Sequence, residues 1–179
     1  MNGHFDGTPE YTKPQDFCSL FQKEMAPLYQ LAYLLTADHG IAVHIFVTGI
    51  DECTNGNPVF KQWAHSWAKR VIIKNAIRAI APASFPHNGQ VREESVEMQV
   101  RPDAPEISVA RLARFDRFAF VLAVLEKISV AECAVLLACT RADVLQARAR
   151  ALQALASAES YKYQSEFMRP GAAFATNAA

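Results

Sequence analysis

The chain has 179 residues, 51% of them hydrophobic and 20% charged, and its 18 bases and 18 acids cancel to a formal net charge of zero. That length and apolar content suit one domain or two small ones with real cores, and exclude a disordered polyelectrolyte, a collagen-like chain and a disulfide-dense miniprotein. No apolar run approaches the roughly 18 residues of a membrane helix, and Met1-Asn2-Gly3-His4-Phe5-Asp6 lacks the basic-then-apolar layout of a secretory signal, so a cytoplasmic protein without a membrane span is expected.

Residues 1–15 carry Gly3, Gly7, Pro9 and Pro14 and read as a flexible arm. From Asp16, Phe17, Leu20, Phe21, Leu28, Leu31, Ala32 and Leu35 recur at helical steps. Pro27 kinks this run or divides it into two helices. Thr36-Ala37-Asp38-His39-Gly40 is a break with a new N-cap, after which Ile41–Val47 is short and β-branched enough to be a strand. Asn55-Gly56-Asn57-Pro58 is a turn. Residues 59–81 form the strongest helix, in which Phe60, Trp63, Trp67, Val71 and Arg78 follow helical spacing and aromatics share one element with bases. Residues 82–106 contain Pro82, Pro86, Pro102 and Pro105 and read as a linker. Beyond it, residues 107–127 predict a long amphipathic helix, Ser129 caps a short helix through Leu137, Ala138-Cys139-Thr140 is a tight break, and residues 141–158 form another helix; residues 159–179 read as a disordered tail. The fold class expected is all-α, two helical modules (16–81 and 107–158) joined by the Pro-rich linker.

The zero net charge hides a pattern. Residues 1–52 hold seven acids and two bases, 53–92 six bases and no acid, 93–106 five acids and one base, and 107–158 seven bases and four acids. A partner responds to the field within about a Debye length, not to the total. The basic 53–92 block is therefore a candidate face for a polyanion. Over those forty residues no acid is available for the i, i+4 pairs of an ordinary solvated helix.

Chemistry-bearing motifs are few. Cys18, Cys53, Cys133 and Cys139 form no C-x-x-C pair, the five histidines are scattered, and buried apolar thiols are the expected state. No phosphate-cradling glycine loop, nucleophile elbow or H-E-x-x-H is present. No metal, cofactor or enzymatic activity is expected.

The 130–149 window has the makings of a helix-turn-helix. Ala134 falls where two helices approach closely, Ala138 stands at the turn position usually given to glycine, Val144 makes the apolar return contact, and Thr140 can cap the second helix. Leu137, Ala151, Leu152 and Leu155, with Phe118, Val121, Leu122 and Leu125, can complete a trihelical core that offers the helix from Arg141 to a major groove. A plain helical hairpin is the competing reading.

With this window on the page, the chain resembles the RNA polymerase sigma factors of the extracytoplasmic-function type over residues 16–156. Leu112, Arg117-Phe118-Ala119-Phe120-Val121-Leu122, Glu126, Ser129, Glu132-Cys133-Ala134, Leu137 and Ala149-Arg150-Ala151-Leu152 are similar to region 4, the firmer match. Phe21, Leu28, Leu31-Ala32, Leu35-Thr36-Ala37-Asp38, Phe60-Lys61-Gln62-Trp63, Arg70, Asn75 and Arg78 are similar to region 2. The resemblance implies a transcription initiation factor whose partners are promoter DNA, core RNA polymerase and an anti-sigma protein. It implies that Lys61, Trp63, Lys69, Arg70, Lys74 and Arg78 meet the −10 element or its separated strand, aromatics stacking on unpaired bases while Lys and Arg hold phosphates. It implies that Arg141, Asp143, Gln146 and Arg150 face the −35 element. Core packing is the competing role for Phe60, Trp63 and Trp67 and is expected for at least one of them.

The chain also departs from the pattern. Val43 and His44 stand where region 2 carries two acids that grip the polymerase clamp, which places the polymerase contact in question. Leu145 and Ala147 stand where the recognition helix usually has Lys and Arg, and each missing phosphate contact lowers affinity and flattens its salt dependence. A degenerate sigma-like regulator working through protein contacts, without promoter recognition, is the alternative.

Overall fold

Pro14 sits at the start of the first helix, where a missing N–H costs nothing, and in the computed structural model, which describes residues 10–80 and 109–167, it opens α1 (Pro14–Lys23). The Asp16 carboxylate accepts from the Lys13 N–H at 2.7 Å and closes that helix end. The chain then divides at Glu24, and α2 (Met25–Thr36) holds Pro27 within its first turn, where no intrahelical bond is lost. Ala37 is left-handed (φ 56°) and Asp38 caps α3 (His39–Asn55), its carboxylate accepting from the Ile41 N–H at 2.8 Å.

The strand expected at Ile41–Val47 is a helix. The β-branched composition favoured a strand, but Ala42, Ile45, Gly49 and Cys53 are buried at steps of three and four behind the Asp38 cap. Burial of that face overrides local propensity. At Gly49 a Cβ would lie 2.8 Å from the Ile72 side chain, so the missing side chain permits α3 to approach α4. A short 3-10 turn (Lys61–Trp63) leads into α4 (Ala64–Ile80).

Residues 10–13, expected within the flexible arm, pair with the approach to that turn. Thr12 N–H donates to Val59 O at 2.7 Å and Lys61 N–H to Glu10 O at 2.8 Å, and Tyr11 stacks on Phe60 with centroids 4.7 Å apart. Residues 1–9, the linker 82–106 and the tail from 168 lie outside the described residues.

The long helix expected over 107–127 is broken. After a helical turn at Val109–Ala110, Ala113 is extended and α5 (Arg114–Phe120) starts, continuing as one π turn (Val121–Leu125) in which Glu126 N–H reaches back to Val121 O at 2.9 Å. Lys127 is left-handed (φ 55°), and α6 (Val130–Leu136) follows. The last helix, α7 (Arg141–Phe167), passes the end expected at residue 158. The described residues are all-helical; their one β-type contact is the isolated bridge Tyr11–Phe60. None of these helices is long and apolar enough to cross a membrane.

One cluster of buried side chains spans both halves. Phe17, Phe21, Leu28, Leu35, Ile45 and Ile72 belong to it, as do Phe118, Leu122, Cys133, Leu137, Val144 and Ala151. Across the join runs Arg117. Its side chain, 6% exposed, donates to Leu35 O (3.2 Å) and Thr36 O (3.2 Å) at the end of α2, and to Ala110 O (3.0 Å) and Leu112 O (3.3 Å) nearby.

Candidate nucleic-acid interface

In the C-terminal half, α6 and α7 are joined by a tight turn within the 130–149 window. Ser129 Oγ accepts from Glu132 N–H at 3.2 Å and starts α6. Ala138 is left-handed (φ 51°), and Cys139 N–H closes the turn on Ala134 O at 3.0 Å. Thr140 and Asp143 cap α7 reciprocally: Thr140 Oγ1 accepts from Asp143 N–H (3.1 Å), while Asp143 Oδ2 accepts from the Thr140 hydroxyl (2.7 Å) and N–H (2.9 Å). These bonds, the hydroxyl's first, hold the Asp143 carboxyl below the usual carboxylate range.

Ala134, Val144, Ala147 and Ala151 are buried where α6 and α7 meet the α5 segment. Two residues expected to complete this core do not: Leu125 and Leu152 are half-exposed. Ala147 lies fully inside, so no base at that position could reach a phosphate, whereas Leu145 faces outward at 44% exposure. Arg141 and Gln146 lie on that outward face with Leu145. Asp143 is turned back into the cap. Arg150 is held by Asp116 of α5, its Nε 3.1 Å and Nη2 2.6 Å from the carboxylate, which raises its pKa. Of the four residues assigned to the −35 element, Arg141 and Gln146 are exposed, Asp143 is held in the cap, and Arg150, though 44% exposed, is bound by Asp116.

The N-terminal helices present the other candidate set. With about 100° per residue, Trp67, Arg70, Lys74 and Arg78 fall within about 80° of one α4 face. Trp63, at the end of the preceding turn, is 54% exposed and Trp67 is 43% exposed. Phe60 packs edge-on against Trp63 with centroids 4.8 Å apart. Together with Tyr11 and Arg70 these rings line an open groove of about 540 Å³. Core packing thus claims Phe60 in part and neither tryptophan. Asn75, which the resemblance set on a promoter-facing helix, points inward instead and is 6% exposed, its Nδ2 without an acceptor.

All five cations assigned to this face are ion-paired. Lys61 meets Glu10 (2.6 Å) and Asp16 (3.6 Å), and the Glu10 bond raises its pKa. Lys69 meets Glu126 (2.7 Å), Arg70 meets Glu132 (2.6 Å), and Lys74 and Arg78 share Glu52 at 3.6 and 3.4 Å. The acids missing from the local sequence arrive from the arm, α1, α3 and the C-terminal half. Reading i, i+4 neighbours alone could not find them.

On α3, Val43 and His44, which the resemblance set where two acids are expected, are exposed, and Val47 is exposed one turn beyond Val43. Among the thiols, Cys53 and Cys133 are buried as expected, but Cys18 is exposed. Sequence reasoning gave Arg117 no role, although an arginine within Phe115–Leu122 is the signal of a cation that must find buried acceptors. No protein-family model matches the chain, and no curated protein matches it significantly.

Proposed function

We propose that this chain is a sigma-factor-like transcription initiation protein that binds promoter DNA and core RNA polymerase. The observation that carries the reading is the helix-turn-helix: two capped helices about a left-handed Ala138, with Ala134, Val144 and Ala147 closing the angle between them. That unit offers the N-terminal turns of α7, with Arg141 and Gln146, to a major groove. The exposed Trp63 and Trp67 beside Arg70, Lys74 and Arg78 support a second contact, with an unpaired strand. In this reading Arg150 and Asp143 hold the recognition helix in place while Arg141 and Gln146 touch DNA.

In vitro transcription with purified core polymerase tests the proposal directly, together with mobility-shift titrations of promoter fragments over a range of salt. Promoter-dependent transcripts and retarded complexes that weaken with salt support it. Neither transcripts nor shifted complexes at low salt would refute it.

Exposed Val43, Val47 and Leu145 favour a second reading, a regulator that acts through protein contacts. Co-elution with core polymerase in gel filtration, without promoter binding, would favour it over the first.

A further inference from the structure

Helix α7 is apolar on two sides. Val144, Ala147 and Ala151 are buried against α5 and α6. On the far side Ala142, Leu145, Ala149, Leu152 and Ala156 are exposed, Leu145 at 44% and Leu152 at 48%. They follow one another at alternating steps of three and four residues, which at about 100° per residue sets all five within an arc of about 80°. A helix that only closes one domain needs a single apolar side. The second side has the periodicity of a coiled-coil seam, with alanine at one core position of the heptad and leucine at the other. Gln146 and Gln153 run along one edge of this seam, and Arg148 and Leu155 along the other.

We propose that this seam is a self-association surface, on which α7 of a second copy of the chain packs antiparallel. A pair of identical chains related by a two-fold axis requires a surface that is its own complement, and the seam meets that condition. Leu145 meets Ala156 of the second copy, Ala149 meets Leu152 of the second copy, and the two-fold axis repeats both contacts, so each layer sets one large side chain against one small. A parallel pair would set leucine on leucine and leave gaps at the alanines. At the edges of the antiparallel pair Gln146 lies beside Gln153 of the second copy, and the stem of Arg148 beside Leu155 of the second copy, so no like charges face each other. The buried side of α7 lies roughly 140° from the seam, which sets the two bodies on opposite sides of the helix pair. The seam covers about 21 Å of helix, less than the roughly 800 Å² per partner of a stable complex requires, so the dimer is weak, with a dissociation constant of about 10–100 µM. The dimer does not rest on the promoter reading of the chain, but one consequence does. Pairing covers Leu145 and Gln146, on the face which that reading gives to a major groove, so self-association and groove binding exclude one another.

The test is sedimentation equilibrium of the full chain from about 5 to about 500 µM, with two variants at exposed positions of the seam, Ala149→Lys and Leu152→Glu, each checked for native helix content by circular dichroism. The native chain passes from monomer to dimer over that range. Each variant alone brings like charges together near the two-fold axis and raises the dissociation constant about tenfold or more. Mixed in equal amounts, the two variants set the introduced lysine opposite the introduced glutamate and associate within about threefold of the native affinity. A native chain that stays monomeric throughout overturns the proposal and leaves the seam to DNA or to a different protein. A dimer that both variants leave intact overturns it too, as does a mixture that recovers nothing. Mobility-shift titrations separate this outcome from that of the proposed function. A chain that dimerises through the seam but binds no DNA at low salt refutes the promoter reading alone, whereas a chain that binds DNA but never dimerises overturns the seam alone.

Discussion

Replacing Arg117 by methionine keeps an unbranched chain of similar length and removes the guanidinium that spans the two halves. At neutral pH the group is charged even though burial, and then the charge of Arg114, lower its pKa to about 10. It is a buried cation whose bonded partners among the described residues are carbonyl oxygens. Leu35 O and Thr36 O belong to the last turn of α2, where unpaired carbonyls and the helix dipole favour positive charge. A hydrogen bond to a charged group contributes about 1.5–3 kcal/mol. Taking the lower figure because the bonds are 3.2 Å long, the two that cross the join are worth together about 3 kcal/mol.

The consequence is a loss of coupling, and the positions of the tryptophans allow it to be seen. Both, Trp63 and Trp67, sit in the N-terminal half, so their fluorescence follows that half while far-ultraviolet circular dichroism follows all helices. In urea the native chain gives coincident transitions by the two probes. In Arg117→Met the chain loses about 3 kcal/mol and the two transitions separate. Coincident curves with a loss below about 0.5 kcal/mol would show that Arg117 is not the joint and that apolar contacts alone hold the halves together.

Four further outcomes follow from single sites. Ala138→Gly relieves a left-handed conformation that costs an L-residue about 1–2 kcal/mol, less the roughly 0.4–1 kcal/mol of extra unfolded-state freedom, so urea denaturation gains about 0.5–1 kcal/mol; a loss of stability would mean that the turn does not require φ > 0. Asn75→Leu removes a buried amide lacking an acceptor and raises stability by about 1–2 kcal/mol in the same assay, whereas a comparable loss would mean the amide is satisfied. The lowered pKa of Asp143 means that its cap stabilises the fold above the unfolded value near 3.8 and is lost as pH falls through the lower folded value. Thermal midpoints should therefore fall less between pH 6 and about 3 in Asp143→Asn than in the native chain; parallel curves would exclude this cap as a source of acid sensitivity. Burial pushes the Cys53 thiol up to about 12 and the Cys133 thiol up to about 11, so a maleimide at pH 8 labels exposed Cys18 in the fast phase and those two only on unfolding; fast labelling of all four would contradict the packing.

The helices were legible where a local rule decides them. Ser129 and Thr140 were readable as caps, and a third cap was readable within Thr36–Gly40, where Asp38 supplies it, because an N-cap needs only its own side chain and an N–H two or three residues on. Ala138 was readable as the turn from its place between two apolar periods. Ile41–Val47 misled because β-branched content describes the residues, while burial of Ala42 and Ile45 depends on α2 and α4 lying alongside. The break after Ala110 and the π turn at Val121–Leu125 were invisible for the same reason. In the candidate sites, sequence reading set cations and aromatics on one helix. It could not say that Asp116 would hold Arg150 or that Ala147 would face inward, since both depend on how α7 rotates against α5.

The ion pairs change what a net charge of zero means for this chain. Blocks of acid and base separated along the sequence are joined in space, each basic residue of α4 facing an acid that lies outside that helix. Two kinds of pairing must then be distinguished. Glu52 lies on α3, which packs along α4 with Gly49 against Ile72, so its hold on Lys74 and Arg78 persists in any state where the N-terminal helices stay folded. Glu126 and Glu132 reach α4 from the C-terminal half. Salt screens the exposed Arg70–Glu132, Lys74–Glu52 and Arg78–Glu52 pairs alike and the Lys69–Glu126 pair less, while the apolar core beneath both sets is untouched. Rising salt therefore frees the cations of α4 from both sets of acids and weakens their attraction to phosphates over the same range. Binding to a single-stranded polyanion should fall with salt in the native chain and more steeply in E126Q/E132Q, the slope of log K against log salt changing by about 1.4 for two further phosphate contacts; equal slopes would show that Glu126 and Glu132 do not compete with phosphate for Lys69 and Arg70.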